Sequence, residues 1–139
     1  MYAGFIIAFI LCFFASILNE DSAQSLLSGY NTMSDERKKK VNFKEIAKIH
    51  KKVFYGIALF LTLITLSNLF IKNDNFLFIS FVLGLSWGFV PLFFLGKEFD
   101  KNVYKNWEKW LQRIALAFLF FCGLIISIII YYTPLNELR

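Results

Sequence analysis

Charge is missing where it would be most informative. Four apolar runs, Tyr2–Leu18, Val53–Ile71, Phe76–Gly96 and Ile114–Tyr132, contain no Asp, Glu, Lys, Arg or His. Pumps and carriers keep costly ionisable groups near the bilayer centre because they use them. Their absence here disfavours charge-coupled transport. Two cysteines and one histidine in 139 residues leave no metal-site spacing, and no cofactor is expected. Cys12 and Cys122 sit near the middles of the first and last runs and read as small apolar residues. No nucleophile–base pair, paired carboxylates or phosphate-cradling loop is evident, so the chain is expected not to be an enzyme. The first run lacks a basic leader and a small-residue cleavage site, which predicts a retained helix. There is no nucleic-acid recognition module, so the net charge of +5 does not imply nucleic-acid binding.

What is present is hydrophobic length. The chain is 58% hydrophobic and carries 18 Phe, too apolar for a soluble domain of this size to cover. Each run is long enough, at ~1.5 Å per residue, to cross most or all of a ~30 Å hydrocarbon core. The expected fold is all-α, a single polytopic membrane domain over residues 1–139. Its spans are expected at 2–18, 53–71, 76–96 and 114–132, arranged as two helical hairpins.

Basic residues set the expected orientation. Residues 19–52 hold eight (Arg37, Lys38, Lys39, Lys40, Lys44, Lys48, Lys51, Lys52), and residues 97–113 hold five (Lys97, Lys101, Lys105, Lys109, Arg113). Only Lys72 and Arg139 fall on the other side. Thirteen against two places loops 19–52 and 97–113 in the cytoplasm and both termini outside. Anionic lipid headgroups are the expected partners of those loops.

The first loop is expected to continue helix one through Ser22–Leu27, with Gly29 as a left-handed terminator. Tyr30 reads as an interface anchor, Asn31 and Thr32 as turn residues, and Ser34 as an N-cap. Asp35 and Glu36 lie at the positive end of that short helix, and Lys38–Lys40 near its negative end. Asn42 and Glu45 predict a second capped helix entering the membrane without a break. Phe43, Ile46, Ala47, His50, Val53 and Phe54 share its apolar face, with Lys44, Lys48, Lys51 and Lys52 opposite. The only histidine, His50, reads as packed rather than as a proton sensor. Tyr104, Trp107, Trp110, Leu111 and Ile114 form a second aromatic–apolar strip, and Tyr104–Arg113 can be laid over Phe43–Lys52.

Small residues recur every four positions in the runs: Gly4, Ala8, Cys12 and Ser16, then Ser80, Gly84 and Gly88, then Gly123 and Ser127. In lipid this spacing lets helix backbones approach. Gly4, Ala8, Ser80, Gly84, Gly88 and Gly123 are therefore candidate packing positions. Pro91 should free the Trp87 carbonyl and bend the third span. Gly29, Tyr30, Asn31, Thr32, Lys38, Lys39 and Lys40 are the candidate contacts for a partner or for lipid.

Gly29-Tyr30-Asn31-Thr32-Met33-Ser34, followed by Asp35-Glu36-Arg37-Lys38, resembles the signature of an uncharacterised family of small bacterial membrane proteins. The resemblance covers roughly residues 1–96 and implies a bacterial inner-membrane location and three spans, to which this chain adds a fourth. A fainter similarity is to polytopic toxin-immunity proteins, which carry Arg where this loop has Asn31. The expected function is that of an accessory subunit or regulator of a larger inner-membrane complex, with itself or other membrane subunits as partners. Toxin immunity is the alternative, and a small transporter ranks third.

Overall fold

The computed structural model describes residues 2–27 and 29–133, and every described element is helical apart from one isolated bridge between Val41 and Asp100. Helix α1 spans Ala3–Ile17, α2 Glu20–Leu26, α3 Asp35–Lys38, α4 Phe43–Ile71, α5 Asp74–Gly88, α6 Leu92–Leu95 and α7 Asn106–Tyr132, with a 3-10 turn at Lys97–Phe99. Three helical segments are long and apolar enough to cross a membrane: Phe43–Ile71, Asp74–Phe99 and Asn106–Tyr132. The expectation of four is thereby reduced to three on length. Helix α1 is apolar but has 15 residues, ~22 Å at the usual rise, one to two turns short of a hydrocarbon core.

Helix α1 stops early because Asn19 starts a new helix. Its Oδ1 accepts from the Ser22 N–H at 2.8 Å, and Ser22 Oγ accepts from the Asn19 N–H at 2.7 Å. Leu18 is left extended between the two helices, and Ser22 Oγ also donates to the Ile17 carbonyl at 2.9 Å. The expected continuous helix through Leu27 is therefore two helices, because a local side-chain cap outcompeted propagation. Gly29 has φ +90°, the left-handed conformation expected of it.

Helix α4 matches its expected start. Asn42 Oδ1 accepts from the Glu45 N–H at 3.2 Å. The Glu45 carboxylate turns to Lys48 Nζ at 2.6 Å rather than closing the box, since the Asn42 N–H already donates to the Phe99 carbonyl at 2.8 Å. The helix ends in a two-residue turn at Lys72–Asn73. Lys72 is left-handed at φ +52°, and buried Asn68 holds the turn by accepting from the Asn73 N–H at 3.0 Å. Thr62, Thr65 and Ser67 donate to carbonyls four residues back, so their hydroxyls are satisfied within their own helix.

The third span is interrupted at Phe89–Pro91, as proline predicts. The Trp87 carbonyl is taken by the Val90 N–H at 3.1 Å in a tightened turn, and the chain resumes as α6.

The helices form a row: α1 packs on α4, α4 on α5 and α5 on α7. Gly4 abuts Thr65 and Phe81, while Gly123 abuts Ser86. The start of α1, the Lys72–Asn73 turn and the end of α7 therefore share one end of the bundle. All other connections gather at the opposite, basic end. One core lies among the helices, built from Ala8, Leu11, Ile57, Ala58, Leu61, Leu77 and Phe81. A second lies under the basic connections, built from Leu18, Ala23, Leu27, Val41, Phe43, Ile46 and Ala47. Long apolar side chains such as Phe9, Phe70 and Phe118 remain outside both and exposed, as lipid-facing residues do.

Candidate functional site

The two basic connections fold against each other. Lys101 N–H donates to the Lys40 carbonyl at 3.1 Å, beside the Asn42–Phe99 bond, and Val41 and Asp100 form the bridge. Arg37 from α3 crosses to the start of α7, where its Nη1 meets Glu108 Oε1 at 2.9 Å. The Glu108 carboxylate also accepts from the Lys105 N–H at 2.6 Å, which makes it a cap for α7.

Asp100 organises the remainder. One carboxylate oxygen accepts from the Asn102 N–H at 3.0 Å and from Asn102 Nδ2 at 2.8 Å, and the other accepts from the Tyr104 hydroxyl. Asn102 Nδ2 also donates to the Arg37 carbonyl at 3.0 Å. The Arg37 guanidinium carbon lies 4.9 Å from the centre of the Tyr104 ring. Its Nη2 is buried without a hydrogen-bond partner among the described residues, and the ring face supplies the compensating negative potential. The Tyr30 ring meets the Phe43 ring edge-on, with centroids 5.5 Å apart.

The electrostatics follow from this geometry. Burial, reinforced by the Asp100 charge, pushes the Tyr30 phenol up to about 12. Burial and then the hydrogen bond to Asp100 push Tyr104 higher still. The Lys105 N–H and then the Arg37 guanidinium hold the Glu108 carboxyl below its ordinary value. At neutral pH both phenols are therefore neutral and the Arg37–Glu108 pair is ionised.

Of the candidate contacts, Tyr30 is half-buried in this cluster, while Gly29, Asn31 and Thr32 are exposed beside it. Ser34 has the extended conformation of an N-cap, but its side chain makes no capping bond. Lys38 is half-buried, and Lys39 and Lys40 are exposed. Among the described residues the ion pairs are Arg37–Glu108 and Lys48–Glu45, so Lys38, Lys39 and Lys40 belong to none. His50 sits half-buried, with Nδ1 2.9 Å from the Ile46 carbonyl and its ring edge-on to Phe54. Trp107 and Trp110 are exposed on the first turns of α7.

The four glycines among the candidate packing positions lie at close helix contacts. A Cβ on Gly4 would meet Thr65, on Gly84 Phe60, on Gly88 Ile57 and on Gly123 Ser86, all at under 3 Å. Ala8 is buried, and Ser80 is half-buried like Gly84 and Gly88. On α1 the buried line runs Gly4, Ala8, Leu11, Ala15, while Cys12 is half-buried and Ser16 exposed. A strict four-residue step drifts by about 40° each time at 3.6 residues per turn, so Cys12 packs only on the margin of the core and Ser16 has left it.

Sequence reasoning did not assemble the Arg37, Asp100, Asn102, Tyr104 and Glu108 cluster. Arg37 stands about seventy residues before Glu108, and the only signal was the carboxylates Asp100 and Glu108 among the basic residues of the second stretch.

The family model for a domain of unknown function (DUF3784) matches residues 5–98, more than half of the chain. The chain belongs to this family. The DUF3784 segment takes in α1 to α6 and supplies Tyr30 and Arg37, while Asp100, Asn102, Tyr104 and Glu108 follow it. No curated protein and no solved structure matches the chain.

Proposed function

We propose that this DUF3784 protein is a non-catalytic integral membrane protein of the bacterial inner membrane, an accessory subunit or regulator of a larger complex. In this reading α1 is a fourth, short span, the ends of the bundle's row lie outside, and the basic end faces the cytoplasm. The observation that carries it is the clasp between the two basic connections. It uses Arg37 for internal structure and leaves half-buried Lys38 and exposed Lys39 and Lys40 outside any ion pair among the described residues. The Lys and Arg count, thirteen against two, supports the orientation, and the net charge gives the sign of the surface. The basic end has thirteen Lys and Arg against eight carboxylates (Glu20, Asp21, Asp35, Glu36, Glu45, Glu98, Asp100, Glu108), so 13 − 8 gives the whole net charge of +5. A surface of that sign, held in place before binding, suits an acidic face on another membrane subunit.

The test is gentle extraction of the tagged protein with identification of co-purifying chains. Lys38→Gln, Lys39→Gln and Lys40→Gln together should leave insertion intact, because Lys44, Lys48, Lys51 and Lys52 preserve the positive-inside bias. The partner should be lost. A protein that purifies alone, from cells whose deletion strain is sensitive only to a toxin encoded nearby, would replace this reading with toxin immunity.

A further inference from the structure

The break between α1 and α2 creates a hollow of about 280 Å³ against the first turns of α4. Buried Leu18 and Ala47 form its floor, and Lys44, Lys48 and Lys51 line its wall. Those lysines stand at i, i+4 and i+7 and therefore share one face of the helix. Asn19 is on the rim, and so is one carboxylate, Glu20. Lys48 is held by Glu45 at 2.6 Å, whereas Lys44 and Lys51 belong to no ion pair among the described residues.

We infer that this hollow binds the phosphate-bearing headgroup of an anionic phospholipid. Its chemistry favours that occupant over a soluble one. The floor is apolar and continuous with the end of a lipid-facing helix, and the cations stand at its edge. Helix α1 is one to two turns shorter than a hydrocarbon core, and a short span draws headgroups down towards its end. The end so reached is Leu18, the floor of the hollow. A hollow of about 280 Å³ has room for a phosphodiester. Glu20 opposes any anion, so the site favours a headgroup whose hydroxyl groups can face that carboxylate. Phosphatidylglycerol meets that requirement.

The inference rests on the membrane reading above and not on the subunit reading. Its lysines differ from those assigned to a partner, so the two fail separately. Purified protein in a non-ionic detergent is titrated with phosphatidylglycerol or phosphatidylcholine, and retained lipid is counted by native mass spectrometry. The wild type should prefer phosphatidylglycerol by at least about tenfold, since each basic residue near an anionic surface is worth roughly fivefold. Replacing Lys44, Lys48 and Lys51 by Gln should abolish that preference, and replacing them by Arg should keep it. The equally charged-down variant at Lys38, Lys39 and Lys40 should retain it. Equal losses in both triple variants would mean diffuse surface attraction and would overturn the site. Displacement of the lipid by excess inorganic phosphate would make a soluble anion the ligand and overturn the lipid assignment. Should the Gln triple variant not be recovered, Lys44→Gln and Lys51→Gln are measured singly. An unchanged preference in both would equally reject the site.

Discussion

Gly123→Ala should loosen the contact between α5 and α7. An added Cβ would lie 2.0 Å from Ser86 Oγ and 2.7 Å from Ser86 Cβ, where ordinary contact begins at 3.4 Å. One side must therefore move by about 1.4 Å. Ser86 Oγ is not free to yield, because it donates to the Val82 carbonyl at 2.6 Å. If α7 moves instead, it disturbs the parallel stack of Trp87 on Phe120, whose centroids are 4.9 Å apart, and the bond from Trp87 Nε1 to the Phe120 carbonyl at 3.3 Å. Overpacking of this kind costs about 1–3 kcal/mol. The midpoint of thermal unfolding in mild detergent should fall by several degrees. Ser86→Gly should restore most of the loss in the double variant, because it removes both clashing atoms. Gly56→Ala is the internal control: nothing lies within 4 Å of its added Cβ, so helix propensity alone should make it neutral or stabilising by up to about 1 kcal/mol. A Gly123→Ala protein as stable as wild type, or a Ser86→Gly change that fails to rescue it, would refute the contact.

Tyr30 should make the protein weaken in alkali. Its phenol is raised from 10.0 to about 12, so the folded state favours the protonated form. That contribution is fully present below pH 10 and is lost as pH rises towards 12; two units would be ~2.7 kcal/mol, discounted to about 1 kcal/mol for a half-buried group. Denaturation followed from pH 9 to 12 should show this fall in wild type and a flatter profile in Tyr30→Phe. Arg37→Gln should open the clasp, read as faster tryptic cleavage between Lys38 and Lys40 and between Lys101 and Lys105; equal cleavage rates would show that the Glu108 pair does not hold the connections. Single cysteines at Lys39 or Lys101, without Cys12 and Cys122, should resist an impermeant thiol reagent in intact cells, and one at Asn73 should react. The reverse pattern would invert the orientation. Asn136 would serve the same purpose but lies outside the described residues.

Much of the helical architecture was legible because each signal is local. Asn42 with Glu45, the apolar face from Phe43 to Phe54, Pro91 after Trp87 and the positive φ of Gly29 all depend on neighbours within a few residues. The break at Leu18 was equally local but was missed. An apolar-to-polar run without a breaker reads Ser22 as helix interior, although three residues after Asn it completes a reciprocal cap. That cap costs α1 the length of a full span. What the candidate loop packs against within the fold was not visible in the sequence. Periodicity identifies which face of α4 is apolar; it carries no information on which distant carboxylate meets Arg37. Only the fold brings residue 37 to residue 108.

On the proposed reading, the clasp would make the loop lysines a better surface than a flexible basic tail. A tail binding an acidic partner must order its backbone at the moment of binding, at roughly 1–2 kcal/mol per residue. Here that ordering is already met by folding. Arg37 is held by Glu108, its carbonyl by Asn102, and the Lys40 carbonyl by the Lys101 N–H. Lys38, Lys39 and Lys40 lie between those fixed points. Only their side chains remain to be ordered, and short contacts can then yield useful affinity. Opening the clasp with Arg37→Gln should therefore weaken partner retention even though Lys38, Lys39 and Lys40 keep their charge. Removing those three charges with the clasp intact should weaken it by a different route, through a faster salt-dependent loss. If Arg37→Gln loosens the connections by proteolysis yet leaves partner retention unchanged, preorganisation is not what the clasp contributes, and the surface acts by charge alone.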